Sequence, residues 1–529
     1  LELTAAQLGV WAAEQVSPDA DAFRISQLVW LDDDVDVAAL NRALAVAGSE
    51  AEVLGVRPTI GSDGVPRLAA AGRPIGALQV VTSACEDAGI RAVAAERCRV
   101  DGVGQNRYES LSVLHPRTSG GWAWEFATHH LFVDAYALGL FTRRVAEVYS
   151  ALVTESAVPD RWFGDYAELV STAASPQDSI SNEFWVERCA EAEGAPAVTF
   201  DASRRFSLPF THGRASIAPP TAEAIDALAR SARASWSDVV ALGWGLFTAA
   251  RDGRDLFALQ LPRMNRFGAA ALRTPAMLVD AAPVVFRVDP SNTLVQLTTR
   301  MRDEMRASSR HHTAGEALAR LWPNGPEDYA ALPQLNVKAF DYDYGFGSIA
   351  GRQETVTSGP AGRLDLMVYR DRVHGFAVDL TSSDTAATPE SVTDTAAAFV
   401  DFLGRLSEDP DARVATFDAL NADDRIRAEE WSRGVEVHAD DATLDSLVRL
   451  QMSRTPDAVA IVDHTGAEFS FSEIATRVEA MAAQLSARGV TRGDRVAVML
   501  ARSVDLVVTL LAVVRTGAAY VPIDPEHPS

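Results

Sequence analysis

The sequence predicts an α/β protein: two lobes of similar size facing a cleft, followed by a short third unit. Three observations carry this. Strand-like and helix-like apolar patterns alternate over residues 1 to 425. The alternation breaks at 154–181, where short helical pieces mix with Pro, Ser and Asp. Composition shifts again at 421–441, a charged stretch poor in apolar residues, before helices and strands resume. A chain of 529 residues is also too long for one ordinary core. The expected units are 1–175, 176–425, a linker at 426–442 and a last unit at 443–529.

The elements follow in order. Residues 3–15 read as a helix, 23–31 as a strand and 35–47 as a helix opened by acidic residues, which suit a helix N-terminus. A hairpin is expected at 57–68 around Gly61-Ser62-Asp63-Gly64. A helix at 84–98 and strands at 109–114 and 121–128 precede a helix at 135–152. The second set begins near Asn182 and holds a strand at 214–217, helices at 221–233 and 235–251 and a strand at 256–262. A long helix at 293–309, strands near 334–340, 363–369 and 375–380, and a helix at 389–406 complete it. The last unit reads as helix 443–454, strand 459–463, helix 472–488, strand 495–499 and helix 504–515. At roughly 85 residues it is small for a domain.

Composition narrows the function. Apolar residues make up 47% and charged residues 23%, as in a globular enzyme. A net charge of -24 with no basic cluster argues against nucleic acid. Cys85, Cys98 and Cys189 are scattered without metal-ligand spacing and fit a reducing cytoplasm. The chain opens without a basic leader, and the longest apolar run near its end, 504–514, is too short to span a bilayer. A cytoplasmic protein that binds no metal and meets no membrane is expected.

The segment Thr128-His129-His130-Leu131-Phe132-Val133-Asp134-Ala135 is the strongest chemical signal. It sits where an aromatic-rich strand hands over to an amphipathic helix. Such a junction can hold an imidazole poised near neutrality, as acyl transfer requires. Residue types alone leave the pair open between a catalyst and a satisfied core histidine. Adjacent histidines on a strand project to opposite sides, which argues against a shared zinc.

Other segments point the same way. The histidine segment resembles the HHxxxDG motif of nonribosomal peptide synthetase condensation domains, members of the chloramphenicol acetyltransferase-like superfamily. Residues 3–15 (LTAAQLGVWAAEQ) resemble that family's opening motif, in the form found in siderophore synthetases. Leu278 to Pro283 is similar to its GxxxNxLPL segment, with Asp280 where Asn is usual. Ser309-Arg310-His311-His312 stands where an R-H-Q segment is common, and Leu335-Asn336-Val337-Lys338-Ala339-Phe340-Asp341-Tyr342 resembles LNxxxFDY. In the tail, 468–474 (EFSFSEI) and 515–524 (RTGAAYVPID) resemble the first two core motifs of adenylation domains. The phosphate loop and the later acidic and lysine residues that act on ATP are not in this sequence.

The resemblance implies two chloramphenicol-acetyltransferase-like lobes forming a V, plus the N-terminal part of an adenylation domain. It implies that His130 is the catalytic residue, aiding attack of an acceptor amine on a donor thioester. His129 would support the backbone. Asp134 would be structural and paired with an arginine, Arg266 first and Arg263 second. Ala135, Asp280 and Asn336 are candidates for the tunnel or the lobe interface. Ala135 replaces the family's Gly. Either it strains a positive φ at about 1 kcal/mol, or it sits in helical geometry at no cost, or it narrows the donor tunnel. The implied partners are donor and acceptor peptidyl or aryl carrier proteins and the remainder of the adenylation domain. The phosphopantetheine arms belong to the carriers, and no cofactor is expected on this chain. The adenylation portion is expected to be inactive by itself. Two alternatives accompany the amide-forming reading: condensation coupled to dehydration of a Ser or Thr residue, and a non-catalytic recruitment domain.

Overall fold

The computed structural model describes the whole chain apart from residues 17–22, 71–74, 102–106, 174–178, 195–210, 252, 267, 312–314, 339–342, 360–363, 372–374, 385–386, 415–419, 435–441 and 526–529. His312 and the Ala339-to-Tyr342 half of the LNxxxFDY-like segment therefore lie outside the described residues.

Helix α1 (Ala5–Val16) leads into β1 (Arg24–Leu31), all eight residues of which are buried. A strand of that kind needs a neighbour on each edge and a layer on each face. Next come α2 (Val37–Glu50), β2 (Val56–Ile60), β3 (Pro66–Ala70), β4 (Gln79–Val80), α3 (Asp87–Asp101), β5 (Leu111–Pro116), β6 (Trp122–His129), α4 (Ala135–Val153) and α5 (Tyr166–Ala173). Asp36 starts α2 by accepting from the Ala39 amide at 2.9 Å. The expected hairpin is β2–β3. One face of the first-lobe sheet packs Ile25, Val29, Trp124 and Phe126 against Leu40, Leu44 and Phe141 of α2 and α4. The opposite face packs Leu28, Trp30 and Ala123 against Ile90 and Ala94 of α3.

The second set comprises α6 (Ser179–Glu191), β7 (Thr211–Ile217), α7 (Pro219–Ser231), α8 (Trp236–Arg251), β8 (Leu256–Arg263), α9 (Gly268–Arg273), β9 (Asp280–Arg287), α10 (Leu294–Arg310), α11 (Gly315–Leu321), α12 (Pro326–Ala330), β10 (Gln334–Lys338), β11 (Asp343–Phe346), β12 (Ile349–Ser358), β13 (Leu364–Asp371), β14 (Gly375–Ser382) and α13 (Pro389–Glu408). Its sheet runs β7-β14-β13-β10-β8-β9. One face buries Leu335, Leu366, Val368, Val378 and Leu380 with Trp244, Phe247, Phe399 and Leu403 from α8 and α13. Strand alternation puts Gln334, Asn336, Lys338, Asp365 and Asp379 on the other, polar face.

One segment departs from the expected partition. The first-lobe sheet runs β11-β12-β1-β6-β5-β4, so residues 343–358 leave the second lobe and pair in the first. Strand β12 runs antiparallel to β1, from Leu31↔Gly351 to Ile25↔Ser358. The second lobe is therefore not the contiguous stretch 176–425. Both strands were missing from the expectation because DYGFGSIAGRQETVTS is rich in Gly and polar residues and shows no apolar alternation. Strand β1 supplies the apolar contacts instead.

Residues 426–529 form a second compact unit, separate from 1–425. The charged stretch read as a linker holds α14 (Ala422–Arg433), with no buried residue. The unit then contains α15 (Leu444–Arg454), β15 (Val459–Val462), β16 (Glu468–Ser470), α16 (Phe471–Ala487), β17 (Arg495–Val498), α17 (Val504–Arg515) and β18 (Ala519–Pro522). A Ser470/Glu473 capping box starts α16. Ile474, Val478, Val504, Val508 and Ala512 form its core. No helix among the described residues is long and apolar enough to cross a membrane.

Candidate active site

The histidine pair lies at the end of β6, one strand from β12. Arg24 of β1 pairs with His129. The His130 amide donates to the Phe23 carbonyl at 2.6 Å. The chain then turns through buried Leu131, Phe132 and Val133 into α4.

His129 faces inward. Its ring packs beside Tyr108, with centroids 4.8 Å apart. The Leu131 amide donates to its Nδ1 at 3.1 Å, and its Nε2 lies 3.4 Å from the Glu14 carboxylate. Burial lowers the His129 pKa, against the pull of Glu14. A neutral ring that accepts at Nδ1 carries its proton on Nε2, directed to Glu14. Burial pushes the Glu14 carboxyl up, and His129, Tyr108 and Arg107 outweigh it and hold the group below its ordinary value. Tyr108 donates to Glu14 at 2.8 Å, and Arg107 lies 3.2 Å away. His129 is thereby committed to holding the turn.

Asp134 is committed too. It caps α4, accepting from the Ala137 amide at 2.8 Å. Arg266 donates to both its oxygens at 2.9 and 3.0 Å, and the Leu278 and Val279 amides donate at 3.0 and 3.2 Å. Arg266 also donates to the Ala271, Thr274 and Ala276 carbonyls. The carboxylate thus ties the start of α4 in the first lobe to 266–279 of the second. Arg263, the second candidate partner, sits elsewhere. It approaches Asp280 at 3.6 Å and donates to the Ser308 and His311 carbonyls. Burial raises the Asp280 pKa, against Arg263 and the Ala281 and Gly315 amides.

His130 is the second imidazole of the pair. Its residue is half-buried and its Nδ1 is buried. The Cδ2–Nε2 edge meets Gly359, just past β12. Ala135 is the first residue of α4 and half-buried, in helical geometry. It is not among the positive-φ residues described, so the strain alternative is removed, and helical geometry carries Ala without backbone cost. Asn336 lies on the polar face of β10, two residues from Lys338. The Lys338 ammonium donates to Thr355 Oγ1 of β12 at 2.6 Å. Burial lowers Lys338 to about 8 and raises Asp365 on the same face to about 6.

Glu14, Tyr108 and Gly359 escaped the sequence reading. Glu14 looks like the polar face of an amphipathic helix, and Gly359 like an ordinary turn residue. Only the fold brings them to the histidines.

Comparison with known proteins gives the family and the fold. Residues 1–318 match the Condensation domain family and residues 448–529 match the AMP-binding enzyme family. The chain belongs to the condensation-domain family, with part of an AMP-binding region following it. It is 26% identical to a dimodular nonribosomal peptide synthase of Bacillus subtilis (strain 168), over 100% of this chain and 22% of the relative. It is 28% identical to an isonitrile lipopeptide synthase of Streptomyces coeruleorubidus, over 99% of this chain and 36% of the relative. It is 26% identical to enterobactin synthase component F of Escherichia coli O157:H7, over 100% of this chain and 42% of the relative. The chain thus spans less than half the length of these relatives. Among solved structures, the first condensation domain of the calcium-dependent antibiotic synthetase aligns with a TM-score of 0.72 at 24% identity, covering 79% of this chain and 99% of that one. A starter condensation domain of rhizomide synthetase aligns at 0.68 and 25% identity, covering 79% of this chain and 97% of that one.

Proposed function

We propose that residues 1–425 join a donor acyl thioester to an acceptor aminoacyl thioester through an amide bond, with His130 as the catalytic residue. The observation that carries this is the division of labour at the motif. His129 is spent on the turn and Glu14, and Asp134 on the lobe tie, which leaves His130, whose Cδ2–Nε2 edge lies beside Gly359, as the candidate base of the motif.

In the reaction the acceptor nitrogen attacks the donor carbonyl. A C–N bond forms, the C–S bond breaks and the donor thiol leaves. The nitrogen loses one proton and the departing sulfur gains one. His130 Nε2 accepts the first and is placed to return it to the sulfur. A positioned base of this kind contributes about 10²–10⁴-fold. Holding two tethered substrates together supplies a further share. The phosphopantetheine arms enter as parts of the carrier-bound substrates. Their carriers are donor and acceptor peptidyl or aryl carrier proteins, met in the cytoplasm.

Residues 448–529 supply part of an AMP-binding region, and their contribution to amino-acid activation is open to test. An ATP–pyrophosphate exchange assay on this chain reads that directly.

The test of condensation is intact mass. The chain is mixed with an acyl-loaded donor carrier and an aminoacyl-loaded acceptor carrier. Donor mass should move to the acceptor carrier, and His130→Ala should lose about 10²-fold or more of the rate. Full transfer by His130→Ala would remove the catalytic assignment. A product lighter by one further water would point to the dehydrating alternative.

A further inference from the structure

Strand β12 belongs by sequence to the second half of the chain and by pairing to the first-lobe sheet. Its last residue, Ser358, sits opposite Ile25, next to the start of β1, while His129 sits opposite Arg24 on the other side of that strand. His130 therefore reaches over the end of β1 toward Gly359. A Cβ on Gly359 would lie 2.1 Å from His130 Cδ2, 2.9 Å from Nε2 and 3.2 Å from Cγ. The first distance is about 1.3 Å short of the 3.4 Å where ordinary contact begins. The obstacle would be a ring whose Nδ1 is buried and whose backbone is anchored by the Phe23 carbonyl. Gly359 is buried and has φ +92.

We infer that Gly359 is the positioning residue for His130: its missing side chain lets the crossover backbone abut the imidazole edge and fix where Nε2 points. The inference rests on the amide-forming reading of His130. A side chain at 359 would push the ring away by more than its hydrogen-bond tolerance. A misplacement of about 1 Å can cost about 10²-fold in rate.

Two effects of Gly359→Ala must be separated, because the backbone conformation alone is strained for an L side chain. Gly120 supplies the control. It has φ +93, and nothing lies within 4 Å of its Cβ position. Gly120→Ala carries the same class of strain without meeting His130.

The experiment uses the full chain with isotope-labelled histidine. The His130 ring resonance is assigned by its loss in His130→Ala. Gly359→Ala should shift that resonance and its titration midpoint, while Gly120→Ala leaves both in place. In single-turnover transfer between loaded carriers, Gly359→Ala should lose about 10- to 100-fold, and Gly120→Ala less than about twofold. Adding Gly359→Ala to His130→Ala should cost nothing further, since the two act through one group. An unmoved resonance in Gly359→Ala, or an equal loss with and without His130, would overturn the inference. A resonance shifted by Gly359→Ala, together with a wild-type chain that transfers nothing, would uphold the positioning and overturn the amide-forming reading instead.

Discussion

Removing the Asp134 carboxylate should loosen the two lobes of residues 1–425 from each other. Asp134 and Arg266 have side chains 1% and 0% exposed, so water cannot replace what is lost. Asp134→Ala deletes a helix cap, worth about 1 kcal/mol. It also breaks a buried ion pair, worth about 3–5 kcal/mol when one partner is left behind. The Leu278 and Val279 amides lose their acceptor as well. The total is about 4–6 kcal/mol. For a unit of this size, with an unfolding entropy of about 2.1 cal/mol/K per residue, that corresponds to a melting temperature about 5 °C lower. Arg266→Met should cost less. It leaves a carboxylate that three backbone amides still hold, so the lobe tie survives in part. The order should be Asp134→Ala worst, then Arg266→Met, then wild type. Thermal unfolding gives the order, and hydrogen exchange at the Leu278 and Val279 amides shows where it acts. Unchanged protection of those two amides in Asp134→Ala would refute the reasoning, whatever the melting temperature does.

Two further predictions concern titration. His129 has a lowered pKa in the fold, so the unfolded chain binds more protons below its ordinary value of 6.5. Its share of stability is complete above 6.5 and falls as pH drops below it, with a slope of at most about 1.4 kcal/mol per pH unit. Glu14, also lowered, adds a loss in the same direction below its ordinary 4.5. Melting temperature followed downward from pH 7.5 should drop first near 6.5, and His129→Gln should flatten that first step. Asp365, raised to about 6, gains stability over part of the same range, so the difference between wild type and His129→Gln is the readout, and no difference between the two curves down to pH 5 would exclude the buried neutral histidine. Lys338 is the chain's only lysine, so peptide mapping after amine-directed acylation reads it without interference from other side chains. Its labelling rate should level off above about 8. A rate still climbing through pH 10 would show an ordinary exposed lysine.

Local signals in the sequence carried most elements, and long-range ones carried the rest. Helix 504–515 coincides with α17 because an apolar run interrupted only by Asp505 and Thr509 before Arg515 has few other outcomes. Strands β11 and β12 were not legible, since β12 is held by pairing with β1 more than three hundred residues earlier and β11 joins the sheet only through β12. The same limit applies at the site. His129, His130 and Asp134 are contiguous and could be read together. The partner Arg266 followed only from resemblance, and Gly359 from nothing local at all. Its role depends on a Cβ that does not exist, which no composition or period can report.

The position of His130 is set by groups from both halves of the chain. Strand β6 and the Phe23 carbonyl fix its backbone from the first lobe. Asp134, four residues on, is gripped by Arg266 and by 278–279 of the second. Gly359 meets the ring from a crossover that starts beside the Lys338 contact to Thr355. A change in lobe separation must therefore move at least one of these supports relative to the others. If His130 is the base as proposed, substitutions at the lobe tie should lower transfer more than they raise the acceptor KM, because they disturb that residue's position. Arg266→Met, the milder of the two lobe-tie variants, is the one to measure. A pure KM effect there would show that the tie shapes the acceptor path and leaves His130 undisturbed.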